Sequence, residues 1–210
     1  LGGREVGSDR LGMALWPESE GDTAYNAFEI TLHRLRKLIG IEKALVLSNG
    51  LLTLDNRYCW VDVWAFEQAA GHAETLLRSP RPNPDELASI SSRVVTLYHG
   101  HFLGRETPEP WSISVRERLR SKFLRHLLDV ARHWEKIGQH EAAIQCYQKG
   151  LETDDLAEIF YQRLMVCYQQ LGRKSEALAV YRRCRTTLSL ILSITPSSAT
   201  ETIRRRLTEV

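Results

Sequence analysis

A chain of 210 residues with 43% hydrophobic content can bury a core as one large domain or two small ones, which excludes a disordered tail. Its formal net charge is only +2, with 7 basic against 8 acidic residues before Trp60 and 21 against 18 after it, so bulk charge does not announce a nucleic-acid binder. The four cysteines, Cys59, Cys146, Cys167 and Cys184, form no CxxC and have no His at metal spacing, which predicts small apolar roles in a reduced, cytoplasmic setting. No apolar run approaches the roughly 18 to 20 residues that span a bilayer, and LSLILSI near residue 190 falls far short. The polar start GGREVGSDR is unlike a signal peptide and reads as a cut inside a longer protein.

In chain order, LGGREV leads into SDRLGMAL, which predicts a short helix capped by Ser8 and ended by Trp16-Pro17. The next stretch, DTAYNAFEITLHRLRKLIG over 22–40, predicts an amphipathic helix. Phe28, Leu32, Leu35 and Ile39 share one stripe that should be buried, and Asn26, Ile30, His33, Arg34 and Lys37 should point outward. Asp22 can cap its start, and Gly40 can take a left-handed cap at its end. Then ALVLSNGLLTLD changes to a period of two around Asn49-Gly50, the signature of a tight hairpin. Helix, helix, hairpin is a winged-helix order, in which the second helix enters the major groove and the hairpin reaches the adjacent one.

The series LxxALWP, then AxxAFxxTLHRLRKLIG, a hairpin and WVDVWAFE resembles the second half of the OmpR-like winged helix of SARP-type and AfsR-type bacterial transcriptional activators. In that family an all-helical bacterial transcriptional activator domain follows directly. The resemblance implies contact with double-stranded DNA. Arg34, Arg36 and Lys37 suit phosphates or guanine edges, Asn26 suits adenine, and an exposed Ile30 suits a thymine methyl. His33 and the hairpin residue Asn49 complete the candidate contact set. A solvated, charged helix face remains the alternative.

From Asp62 onward helices are predicted throughout. VDVWAFEQAAGHAETLL forms one, RSPRPNP is a break, and Asn83-Pro84 caps the next, which runs to Tyr98 and stops at the glycines of HGHFLG. Pro108 and Pro110 mark a second break, after which Ser114 and Glu117 predict a capping box for a helix ending near Gly138.

An internal repeat starts there. Leu127, Val130, Trp134, Gly138, Ala143 and Tyr147 are matched 34 residues later by Tyr161, Leu164, Tyr168, Gly172, Ala177 and Tyr181, the tetratricopeptide period. The Gly turns between paired helices, the Ala lets them approach, and the aromatics fill the space between pairs. Asp155 with Glu158 should cap the second unit, and Pro196 with Ser198 and Glu201 should open a final covering helix.

His99 and His101 form an HxH pair without further ligands at metal spacing, so a turn is the preferred reading. The basic run Arg116, Arg118, Arg120, Lys122 and Arg125, and the clusters Arg182, Arg183, Arg185 and Arg204 to Arg206, alternate between helix faces as solvated surfaces do. GxSxG, Walker, zinc and dinucleotide motifs are absent, which predicts no enzyme, no metal and no cofactor. The expected protein is mostly helical: a partial winged helix-turn-helix over 1–60, then a tetratricopeptide-like α-α superhelix over 62–210. Its expected roles are DNA-binding transcription regulation, with the helices serving dimerisation, RNA polymerase or a regulatory partner, or an interaction module of a larger sensor that binds no DNA itself. A homodimer that completes its winged unit with a partner's strands is a third option.

Overall fold

The computed structural model describes residues 5–19, 21–104 and 109–209. They divide into two compact units, one drawn from Leu1–Ala65 and Phe102–Arg116 and the other from Phe66–His101 and Glu117–Val210.

In the first unit, strand β1 (Val6–Gly7) leads into helices α1 (Ser8–Leu15) and α2 (Gly21–Ile39). A 3-10 turn at Glu42–Ala44 precedes strands β2 (Leu45–Ser48) and β3 (Leu51–Leu54). The sheet is antiparallel in the order β1-β3-β2, with Leu45 opposite Leu54 and Val6 opposite Leu52. Asn49 and Gly50 both take positive φ, 50° and 73°, the backbone that a two-residue hairpin turn of matching twist demands. The Ser8 amide donates to the Gly50 carbonyl at 2.8 Å, which ties the start of α1 to that turn. Ser8 is therefore inside the helix, and Gly7 holds the cap position with no side-chain bond. Asp22 lies in the first turn of α2, where its charge faces the positive helix end.

Phe28, Leu32 and Leu45 form the core of this unit, packed by Leu11, Trp16, Leu47, Leu52 and Leu54. The expected stripe on α2 is only half buried. Leu35 and Ile39 lie on the same face as Phe28 but are each 40% exposed. Periodicity specifies which face turns inward, and the short sheet covers that face only as far as Leu32 and Arg36.

Helix α3 (Asp62–Leu77) continues from the first unit into the second, where α4 (Pro84–Leu97) follows. Asn83 caps α4 as its sequence predicts: the side-chain oxygen accepts from the Asp85 and Glu86 amides at 3.0 and 3.3 Å, ahead of Pro84 at the first turn. Helix α5 spans Pro110–Lys136, so Ser114 and Glu117 sit within it and form no capping box. Pro110, which needs no amide partner at a first turn, starts the helix earlier, and Ser112 donates from both its amide and its hydroxyl to the Glu109 carbonyl, each at 2.8 Å. Pro108 lies outside the described residues.

The 34-residue repeat becomes two helix pairs. Helix α6 (His140–Thr153) follows α5 across the turn at Gly138, and α7 (Glu158–Gln170) is followed by α8 (Lys174–Leu192) across the turn at Gly172. Gly138 and Gly172 turn at φ 78° and 71°. Each closes the same pair of bonds: Gly138 to the Glu135 carbonyl and Gln139 to Trp134, at 3.0 and 2.8 Å, then Gly172 to Gln169 and Arg173 to Tyr168, again at 3.0 and 2.8 Å. Ala143 and Ala177, the matched alanines of the two repeats, are both fully buried, Ala177 in a cluster with Met165 and Leu207.

Helix α9 (Ser198–Thr208) covers α7 and α8, and its cap is Ser197 rather than Ser198. Asp155 and Glu158 do not cap α7, whose cap position is Ala157. Instead the Glu158 carboxylate accepts from the amide and hydroxyl of Ser197, both at 2.8 Å, and from the Thr200 hydroxyl, holding the start of α9 against α7. Burial opposes its ionisation, but those bonds outweigh burial and keep the carboxyl below its usual range. Among the described residues no helix is long and apolar enough to cross a membrane.

Candidate nucleic-acid interface

The outward face of α2 is set by the same period that buries Phe28 and Leu32. At 100° per residue, Asn26, Ile30, His33, Arg34 and Lys37 fall within an arc of about 100° on the opposite side. All five are exposed, Ile30 to 53%. Glu29 flanks the arc and accepts from the Tyr25 hydroxyl at 3.1 Å, a contact that raises the phenol's pKa. Asn49 is exposed at the tip of the hairpin.

Arg36 departs from the expected contact set. Its Nε and Nη2 both donate to the Leu45 carbonyl, at 3.0 and 2.8 Å, and the side chain is half-buried. A fork of two donors on one carbonyl holds the end of α2 against the start of β2, so this guanidinium is spent inside the unit. Arg34 and Lys37 are left as the full charges of the arc.

In the second unit the polar groups mostly serve the helix stack. The Glu135 carboxylate receives both Arg163 and the hydroxyl of Tyr147. Tyr147 and Tyr181, which are 34 residues apart, each donate to a glutamate, Tyr181 to Glu201 at 2.5 Å. Burial pushes the thiols of Cys146, Cys167 and Cys184 up to about 11, 12 and 12, so these cysteines behave as apolar side chains and not as nucleophiles. His99 and His101 border an open groove with Lys149 and Glu152, which pair with each other at 2.8 Å. Among the described residues no three His, Cys, Asp or Glu side chains converge as a metal site would require.

Helix pairs stacked at a 34-residue period, turned by glycine and closed by a covering helix, define a tetratricopeptide-like array. The sequence profile of the bacterial transcriptional activator domain matches residues 61–208, and the chain belongs to that family. It is 26% identical over 210 residues to the regulatory protein AfsR of Streptomyces griseus, covering 98% of this chain and 21% of that protein. It is 25% identical over 225 residues to the transcriptional regulatory protein EmbR of Mycobacterium tuberculosis, covering 97% of this chain and 53% of the relative. The structure of M. tuberculosis EmbR in complex with a low-affinity phosphopeptide has the same fold, with a TM-score of 0.72 at 23% identity, over 98% of this chain and 55% of that one. The chain thus spans about a fifth of one relative and about half of the other.

Proposed function

We propose that this chain is part of a bacterial transcription regulator that grips duplex DNA through α2, while its helical repeats dock a regulatory protein or a polymerase subunit. On this reading residues 1–60 are a partial winged helix, and 62–210 are the partner-binding array. The carrying observation is the single exposed arc of Asn26, Ile30, His33, Arg34 and Lys37 opposite the buried stripe. Asn26 offers the paired donor and acceptor that adenine presents in reverse, Ile30 offers a methyl-sized apolar contact, and Arg34 and Lys37 supply charge for phosphate or guanine. The fold shared with EmbR and the kinship with AfsR, a regulatory protein by name, support the regulator class.

Titration of duplexes, selected from a randomised pool, at two salt concentrations tests the proposal. Affinity should fall with salt, at a slope of about 0.9 per phosphate contacted. Salt-independent retention, or no selection above the starting pool, would count against it. The inward turn of Arg36 and the carboxylate of Glu29 favour a second reading, in which the repeats are the working part and the winged unit only packs. Under that reading Arg34→Glu with Lys37→Glu leaves every binding property unchanged.

A further inference from the structure

We infer that the free end of α8 is a docking surface for a protein segment whose aliphatic face is bordered by carboxylates. Seven consecutive residues, 189–195, are exposed, and four of them are large aliphatics: Leu190 at 79%, Ile191 at 54%, Leu192 at 46% and Ile194 at 49%. Leu190, Ile191 and Leu192 fall at 100° steps around the last turn of α8, and Ile194 follows just beyond the helix end, so the tip is apolar on several sides. A helix end of that kind is normally buried, because each exposed Leu or Ile forfeits the free energy of leaving water. Contiguous exposed apolar side chains on a folded protein mark interaction sites.

The surrounding charge specifies the partner's chemistry. Helices α8 and α9 carry seven Lys and Arg against two Glu, a local charge of +5 on a chain whose total is only +2. Arg183 and Arg185 stand seven residues before Leu190 and Leu192, which places each arginine on the same helix face as its leucine, about 10 Å back along the axis. Among the described residues Arg182 and Arg185 make no ion pair, while Arg183 lies over the Tyr161 ring at 5.9 Å. Arg204 is the exception, being paired with Glu201 at 2.9 Å. Arg185 also acts on the Glu201 carboxyl, but two Glu against seven cations leave the surface cationic, and an apolar knob backed by that charge complements an amphipathic segment with carboxylates beside its Leu or Ile positions. Duplex DNA would use the arginines and leave the four aliphatics in water, so it fits this surface less well.

The inference deepens the reading of the helical array as a partner-docking module and does not depend on DNA binding by α2. Its probe is a synthetic amphipathic peptide of about 20 residues with Leu at i, i+3, i+4 and i+7 and Glu on the flanks, together with a scrambled peptide of the same composition. Fluorescence anisotropy should show binding of the ordered peptide that weakens with salt. Leu190→Ser with Ile191→Ser should weaken it at least tenfold, and so should Arg182→Glu with Arg185→Glu. All four positions are exposed, and an unchanged circular-dichroism melt keeps loss of binding distinct from loss of fold. Equal binding of the ordered and scrambled peptides overturns the inference. So does insensitivity to either pair of substitutions, or self-association of the chain that Leu190→Ser with Ile191→Ser abolishes, which would make a second copy the occupant. Failure here with duplex binding intact rejects the α8 surface alone. The converse result rejects α2.

Discussion

Arg163 on α7 donates through Nε to Glu135 on α5 at 3.0 Å, and the same carboxylate takes the hydroxyl of Tyr147 on α6. One acid thereby joins three successive helices of the stack. The Glu135 side chain is only 10% exposed, so its charge depends on these donors. Replacing Glu135 with Ala strands a buried phenol and a half-buried guanidinium, and should cost about 2 kcal/mol of unfolding free energy. Urea denaturation checks this, and Glu135→Gln should recover part of the loss by keeping an acceptor for Tyr147.

Two glycines inside helices should respond to alanine with opposite signs. A Cβ at Gly150 on α6 would overlap the Phe160 ring, closer than any carbon contact permits, so that buried ring or the helices that hold it would have to shift. Gly150→Ala should destabilise by about 1–3 kcal/mol, against the gain in helix propensity. Gly71 on α3 meets nothing within 4 Å, so Gly71→Ala should stabilise by about 0.5–1 kcal/mol. Thermal melts of the two variants give the comparison.

Helix α8 ends on Ser193 at φ 56°, ψ 32°, the left-handed conformation that Gly138 and Gly172 supply elsewhere without a Cβ. The Ile194 amide reaches the Leu188 carbonyl at 3.4 Å, six residues back and one further than the closures at those two glycines, and the Ser193 amide donates to the Ser189 carbonyl at 3.2 Å. Ser193→Gly should therefore raise stability by about 0.5–1 kcal/mol, measured by urea denaturation.

Acid should loosen the helical array before it protonates most carboxylates. His126 on α5 is 6% exposed, its Nε2 has no hydrogen-bond partner, and burial lowers its pKa to about 4. Glu74, Lys122, Arg125 and Asp129 line the small cavity beside it. The unfolded chain binds a proton near the ordinary value of 6.5, and the folded chain resists until about 4. Stability from this group is thus complete above 6.5 and is lost as pH falls toward 4, by at most about 3 kcal/mol. His133, also lowered by burial and by Lys136, acts in the same direction. Unfolding free energy measured at pH 7 and pH 5 should drop for the natural chain and drop less for His126→Gln. An equal drop in both would show that His126 is not responsible.

The sequence made most of the elements legible and fewer of their contacts. Asn49-Gly50 predicts its hairpin because few other dipeptides tolerate two positive φ angles in a row, and Asn83-Pro84 predicts its cap for an equally local reason. The 34-residue period shows because Gly138 and Gly172 close identical bonds. Local motifs misled wherever a side chain had a distant option. Glu158 resembles a cap residue but bonds Ser197, 39 positions away, and the Ser114–Glu117 pair was pre-empted by Pro110. Arg36 reads as one more outward cation on α2, and nothing in its neighbours announces that the Leu45 carbonyl will take it. Leu35 and Ile39 lie on the inward face, yet periodicity is silent on how far the covering sheet extends.

The central claim is that the exposed arc of α2 grips DNA, and charge reversal on that arc tests it most directly. Arg34 and Lys37 are both exposed, so Arg34→Glu with Lys37→Glu should leave the melting curve in place. Affinity for a selected duplex, measured by anisotropy against the natural chain at one fixed salt concentration, should then fall at least tenfold, while binding of the acidic amphipathic peptide to α8 persists. Equal affinity of the natural and charge-reversed chains for that duplex would contradict the account.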